Sequence, residues 1–169
     1  HEIGTISGLS EYGLDGSLKS FRASNCIFGR GQIDGCTIVL VGDDFTVRGG
    51  AADASIWEKQ VAAEQMAYEL HLPIVRLVEG TGGGGSVKSI ESDGYTYVPG
   101  NPAWDWVVAN MGQVPVVSLA LGPVAGLGAA RVATSHYALM VKGQSQLFVA
   151  GPPVVARLGE NVSKEELGG

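Results

Sequence analysis

An α/β fold with a mixed sheet is the class this sequence predicts, from the spacing of its apolar segments. Short apolar runs at residues 36–41, 74–78 and 116–121 have the length of buried strands. A helical pattern separates the first two. A glycine-rich turn follows each of the last two, GTGGGGS at residues 80–86 and GPVAGLGAA at residues 122–130. Strands alternating with helices make a layered α/β domain, and the strand–turn–strand start favours a mixed sheet over a purely parallel one.

In chain order, residues 1–24 read as a loosely patterned arm with a short helix at 17–22. NCIFGRGQIDGC then gives a strand at 27–28, a turn at 29–35 and a central strand at 36–41. Residues 45–48 resume an extended segment, which Gly49 and Gly50 close. Asp53 is a suitable N-cap for a helix reaching Leu70. Ile56, Ala63, Met66, Ala67 and Leu70 form its inward stripe, and His71 with Pro73 ends it. The strand at 74–78 delivers the chain into the first glycine turn. Residues 86–101 are polar and broken by Gly94, Pro99 and Gly100. A helix at 103–111 precedes the strand at 116–121, and a helix of small residues at 125–134 follows the second turn. Strands at 137–141 and 146–149 and helical pieces at 152–158 and 163–167 complete the order β-β-β-α-β-α-β-α-β-β-α.

Composition bounds the function. A chain of 169 residues forms one domain with a real core. With 45% hydrophobic and 17% charged residues it is not a disordered chain. A net charge of −6 argues against a nucleic-acid surface, which needs a basic patch. The uncharged run 114–130 is long for a core segment, but Pro115, Pro123 and its glycines break it into strand, turn and helix, so no membrane span is expected. Cys26 and Cys36 match neither a zinc pattern nor a disulfide framework, and reduced thiols in an intracellular protein are expected. No signal peptide is visible, and an amino-terminal His points to a processed chain or an excised fragment.

Glycine lets backbone N–H groups approach a ligand closely. Two such turns can aim donors at one developing negative charge, as an oxyanion hole does. Gly80, Gly82 and Gly85 also have the spacing of a dinucleotide fingerprint, but that motif needs a helix where residues 86–101 cannot supply one. Ser86 in place of Lys excludes a Walker phosphate loop. The second turn has the stronger logic, because a helix starting there presents unpaired N–H groups. Tight packing of small residues against a sheet is its plain structural alternative.

Other residue types contribute less. Asp43 and Asp44 read as solvated turn residues, His71 as a helix terminus and His136 as a strand-edge residue. Glu165 and Glu166 read as a solvated helix face. Trp104, Trp106, Tyr95 and Tyr97 are core residues or the walls of an apolar pocket. No metal-ligand pattern, catalytic triad or nucleophile elbow occurs.

From Asn25 to Gly169 the chain resembles the carboxyltransferase (β) subunits of biotin-dependent acyl-CoA carboxylases, such as those acting on propionyl-CoA and methylcrotonyl-CoA. NCIFGRGQIDG, DDFTVRGG, EQMAYELHLPIV, KGQSQLFVAGPPVV and ENVSKEELGG carry the resemblance, in family order. The resemblance implies a crotonase-like fold of stacked β-β-α units, with residues 25–169 as the acyl-CoA-binding domain and the family's second domain absent. It implies that N–H groups of Gly83 and Gly84 join those of Gly126 and Leu127 to hold the thioester oxygen as an enolate. Gly82, Gly85, Ala125 and Gly128 would complete the substrate site. A carboxyl group would pass from carboxybiotin, on a partner carrier domain, to the acyl α-carbon. The implied partners are acyl-CoA, biotin carboxyl carrier and biotin carboxylase subunits, and further copies of the chain, with no nucleic acid, membrane or metal. The implied compartment is bacterial cytoplasm or mitochondrial matrix.

Where family members carry SGGAR this chain has TGGGG, and Leu127 stands for a glycine of GPCAGG. Two rival readings remain. One is a non-catalytic assembly module of a carboxylase complex. The other is a small hydrolase or isomerase, which is weaker because no acidic residue is expected in or beside either turn.

Overall fold

The computed structural model describes residues 1–50, 57–81, 94 and 102–169. Its main sheet is mixed and, among the described residues, seven-stranded. β1 (Glu2–Ile3) lies at one edge, antiparallel to β4 (Cys26–Ile33), which is antiparallel to β5 (Cys36–Asp43). β6 (Ile74–Thr81) and β7 (Val116–Ala125) then run parallel to β5. Both β8 (Tyr137–Met140) and β9 (Gln146–Phe148) pair in parallel with β7. They share one edge of it, β8 along Val117–Ala120 and β9 along Pro123–Ala125. In the interval between them, Ser145 Oγ donates to the Ala120 carbonyl and Gln144 Nε2 to that of Leu121. A separate hairpin joins β2 (Gly8–Tyr12) to β3 (Leu18–Ala23).

The strand pattern explains the layers. Side chains alternate along a strand, and β7 alternates buried and half-buried residues through all ten positions. The buried set packs under helices in two clusters. Cys26, Phe28, Val39, Val41, Ile74 and Val116 meet Ala63 and Ala67 of α1 (Trp57–Leu70). Val78, Ala120 and Val124 meet Ala129 and Val132 of α3 (Leu127–Ala133). α2 (Trp104–Asn110) packs on α1, where Trp106 tilts against Tyr68 at 5.5 Å between ring centroids. Two short helices, α4 (Pro152–Val155) and α5 (Lys164–Gly168), end the chain. Ser163 and Glu166 form a capping box at the start of α5.

Several expectations need correction. Residues 18–22 form strand, not helix, because Leu18–Ala23 pairs with Gly8–Tyr12. Residues 29–33 continue β4 instead of turning, and the turn is confined to Asp34 and Gly35. Gly29 is there for a close approach: a Cβ on it would run into the His1 carbonyl oxygen of β1's lead-in. Residues 45–48 are turn and the start of a 3₁₀ segment, not extended chain. Leu70 is half exposed, off the inward stripe of α1. His71 leaves α1 with φ +54°, as expected of a helix terminus. Asp53, Ile56, Tyr95 and Tyr97 lie outside the described residues.

Candidate functional site

The carboxyl ends of β6 and β7 lie side by side, with Gly80 opposite Val124 and Thr81 opposite Ala125. Ligands of parallel sheets bind outside such strand ends. Strand β7 runs further than the sequence indicates, through Gly122 and Pro123 to Ala125, so the second turn contracts to Gly126. Gly126 has φ +59° and ψ −124°, a conformation that a Cβ opposes. Its N–H donates to the carbonyls of Phe148 and Val149, each at 3.1 Å. That donor is therefore engaged with β9. Leu127 and Gly128 are the first two residues of α3, where N–H groups lack partners within the helix. Gly128 is buried and Leu127 half-buried. Of the first turn, Gly80 and Thr81 are described; Gly82, Gly83, Gly84 and Gly85 lie outside the described residues.

Gly80 has φ +102°, and a Cβ on it would collide with the Gly49 carbonyl oxygen. Equally, a Cβ on Gly50 would lie 2.6 Å from the Glu79 carbonyl oxygen. The RGG segment thus packs backbone against backbone on the strand that feeds the first turn. Glu79 itself stands beside both turns. Its carboxylate lies over Gly122, where a Cβ would come within 2.5 Å of Oε1. An acidic residue is therefore present beside the turns after all. Its adjacency to Gly80 was the available sequence signal.

The helix α3 is held by two buried arginines. Arg76 on β6 makes a bidentate pair with Glu64 of α1, Nε–Oε1 2.7 Å and Nη2–Oε2 2.8 Å. Its Nη1 donates to the Thr134 carbonyl at 2.7 Å, placing a cation at the carboxyl end of α3. Asn110 Nδ2 also donates to Glu64 Oε2. Arg131, within α3, donates to Asp43 Oδ1 at 3.1 Å, with side chains 6% and 12% exposed. Burial alone disfavours the Arg131 charge, but the Asp43 and Glu64 carboxylates outweigh it and raise its pKa. Asp43 is thus an ion-pair partner and not a solvated turn residue. Asp44 does close a turn, accepting from the Thr46 N–H. Burial, then the Asp43 carboxylate, push the nearby Cys26 thiol up to about 12.

The remaining candidates serve the fold. His136 is exposed at the start of β8; its Nδ1 accepts from the Val116 N–H and its Nε2 faces the Met111 carbonyl. His71 Nδ1 meets Gln113 Nε2. Glu165 accepts from Gln146 Nε2, and Glu166 caps α5. Among the described residues no three His, Cys, Asp or Glu side chains are grouped to hold a metal ion. No helix among them is long and apolar enough to cross a membrane.

Residues 10–169 match the family described as "Carboxyl transferase domain". The chain belongs to that family. The carboxyl transferase domain is 31% identical over 162 residues to the mitochondrial propionyl-CoA carboxylase beta chain of Sus scrofa, covering 95% of this chain and 29% of that one. It is 29% identical over 166 residues to the probable biotin-dependent acyl-coenzyme A carboxylase beta2 subunit of Mycobacterium tuberculosis, covering 97% and 30%. Among solved structures it is similar to the transcarboxylase 12S hexamer with hydrolysed methylmalonyl-coenzyme A bound. That match has TM-score 0.65 and 27% identity, and covers 86% of this chain and 28% of the other. The carboxyl transferase domain therefore spans a little under a third of the length of these relatives. Its mixed α/β architecture is the crotonase-like fold of those neighbours.

Proposed function

We propose that the chain is the acyl-CoA-binding part of a carboxyltransferase, acting on the α-carbon of a CoA thioester. The single observation that carries this reading is the pair of parallel strands, β6 and β7, ending side by side at Thr81 and Ala125, each followed in sequence by glycine, in a chain of this family. Removing the α-proton of a thioester puts charge on its carbonyl oxygen. Preorganised N–H donors stabilise that oxygen more in the transition state than in the ground state.

On the second turn we assign the donor role to Leu127 and Gly128, not to Gly126, whose N–H is bonded to β9. Gly126 supplies the bend, and Ala125 ends the strand. Gly83 and Gly84 remain the proposed donors of the first turn, with Gly82 and Gly85 giving the backbone room. Biotin on a partner carrier supplies the carboxyl group; we assign no residue of this chain to it. The chain's own part is to bind, orient and polarise the thioester. Residues 25–169 form the proposed binding unit, and residues 1–24 its arm. By analogy with the relatives, it works with biotin carrier and biotin carboxylase partners, in a homo-oligomer, in a bacterial cytoplasm or a mitochondrial matrix.

Leu127→Pro tests the assignment. Proline is tolerated at the first position of a helix and removes the N–H under test, and Leu127→Ala, which keeps that N–H, controls for the lost side chain. Calorimetric titration of the parent chain should show tighter binding of propionyl-CoA or methylcrotonyl-CoA than of free CoA. In Leu127→Pro that preference should fall by roughly three- to tenfold, the loss of one hydrogen bond to a neutral carbonyl, with free CoA binding unchanged. Equal affinity for thioester and free CoA in the parent would sink the oxyanion reading and favour an assembly module.

A further inference from the structure

We infer that the Asp43–Arg131 ion pair is a positioning strut that sets the spacing between the end of β6 at Glu79 and Gly80 and the start of α3 at Leu127 and Gly128. The inference rests on the thioester reading above. One carboxylate makes contacts to both sides of the site. Asp43 Oδ1 accepts from Arg131 Nη1 at 3.1 Å, and Oδ2 from the same nitrogen at 3.4 Å. Arg131 lies one turn into α3 from Leu127 and Gly128. Asp43 Oδ2 also accepts the N–H of Glu79 at 3.3 Å, one residue before Gly80. The end of β5 therefore ties the start of the first turn to the helix that carries the second.

A tie is needed at this level because the sheet ladder slips there. β6 and β7 are in register up to Val78 and Ala120, and resume at Gly80 and Val124. Glu79 thus stands opposite three residues of β7, Leu121, Gly122 and Pro123. Backbone pairing that fixes strand spacing elsewhere is interrupted where the two turns begin. Asp43 and Arg131 cross at that interval, and both are largely withdrawn from water. Arg76 Nη1 donates to the Thr134 carbonyl at 2.7 Å and to the Arg131 carbonyl at 3.4 Å, so it fixes the far end of α3 and the backbone of the strut residue, while the link to β6 at Glu79 is made by Asp43. Donors of an oxyanion hole must be held within about 0.5 Å of their working positions, so the strut acts on polarisation and not on affinity.

The test removes both charges together, since removing one leaves the other buried and unpaired. The double variant Asp43→Leu with Arg131→Met should unfold in urea within the range of ordinary core replacements. The probe is [1-¹³C]propionyl-CoA, read by the infrared stretch of its carbonyl. Bound to the parent chain, the stretch should move to lower frequency than in water. In the double variant that shift should shrink by at least half while the dissociation constant changes less than threefold. Amide hydrogen exchange should accelerate at both Glu79 and Ala130, whose N–H donates to the Gly126 carbonyl at the start of α3. An undiminished carbonyl shift, or exchange altered at one end only, would overturn the strut. If the parent itself gives no carbonyl shift, the thioester reading fails, and exchange at the two ends still decides whether the tie exists.

Discussion

Two cysteines ten residues apart have opposite chemistry. Cys26 is fully buried beside Asp43, with its thiol pushed up to about 12, whereas Cys36 is exposed at the start of β5. A thiol reacts through its thiolate, so the buried one is inert. One equivalent of iodoacetamide should label the native chain, at Cys36, and a second only after denaturation; two native equivalents would refute the burial. The sign of the linkage follows. The folded state raises the Cys26 pKa above the 9.0 of an ordinary thiol. Its contribution is therefore complete below about pH 9 and is lost as pH rises toward 12. In Cys26→Ala that alkaline loss should diminish, as seen by urea unfolding at pH 8 and pH 10.5.

At the scale of elements, α3 depends on charges from two other elements. Arg76→Met removes the cation from between Glu64 and the end of α3, leaving the buried Glu64 carboxylate without its ion-pair partner and with a hydrogen bond from the Asn110 amide. The expected loss is about 3–5 kcal/mol in urea unfolding. Adding Glu64→Gln should recover a large part of it, and equal losses in the single and double variants would contradict the account. None of this was legible in sequence, because Arg76 reads as one charge in an apolar strand and Asp43 lies far from Arg131 in the chain. The strands β5, β6 and β7 were legible, since their apolar runs exceed any competing period. The hairpin was not. Leu18 and Phe21 stand at helical spacing in LKSFRA, yet Ser20 pairs with Glu11 across the hairpin and Phe21 faces Ser10. Glycines likewise misled at β4, where Gly29 marks a close backbone approach and not a turn. Local pattern registers side-chain period; it does not register which backbone lies against a residue.

At the scale of the molecule, α1 and α3 cover one face of the sheet. Ile27 and Leu40, which alternate with the buried residues of β4 and β5, are exposed on the other. With Leu77 and Leu121 they line an apolar hollow of about 390 Å³. Anilinonaphthalene sulfonate should fluoresce on the native chain through this hollow. Leu40→Lys should reduce the signal severalfold with stability altered by no more than about 1 kcal/mol, since the position is partly exposed. Unchanged fluorescence would place the dye elsewhere. The candidate site was half legible: two turns at strand ends could be read from glycines, but which N–H groups were free could not. Gly126 carries the motif and spends its own donor on β9.

The contact of Gly49 and Gly50 with Glu79 and Gly80 has a consequence for inheritance. Most packed joints can drift, because a larger side chain on one partner is matched by a smaller one opposite. Here glycines at 50 and 80 leave no smaller residue to substitute and no side chain to trim. Compensation at the joint would have to come from a shift of the main chain. Descendants of this sequence should thus keep RGG and the EG step together or lose them together.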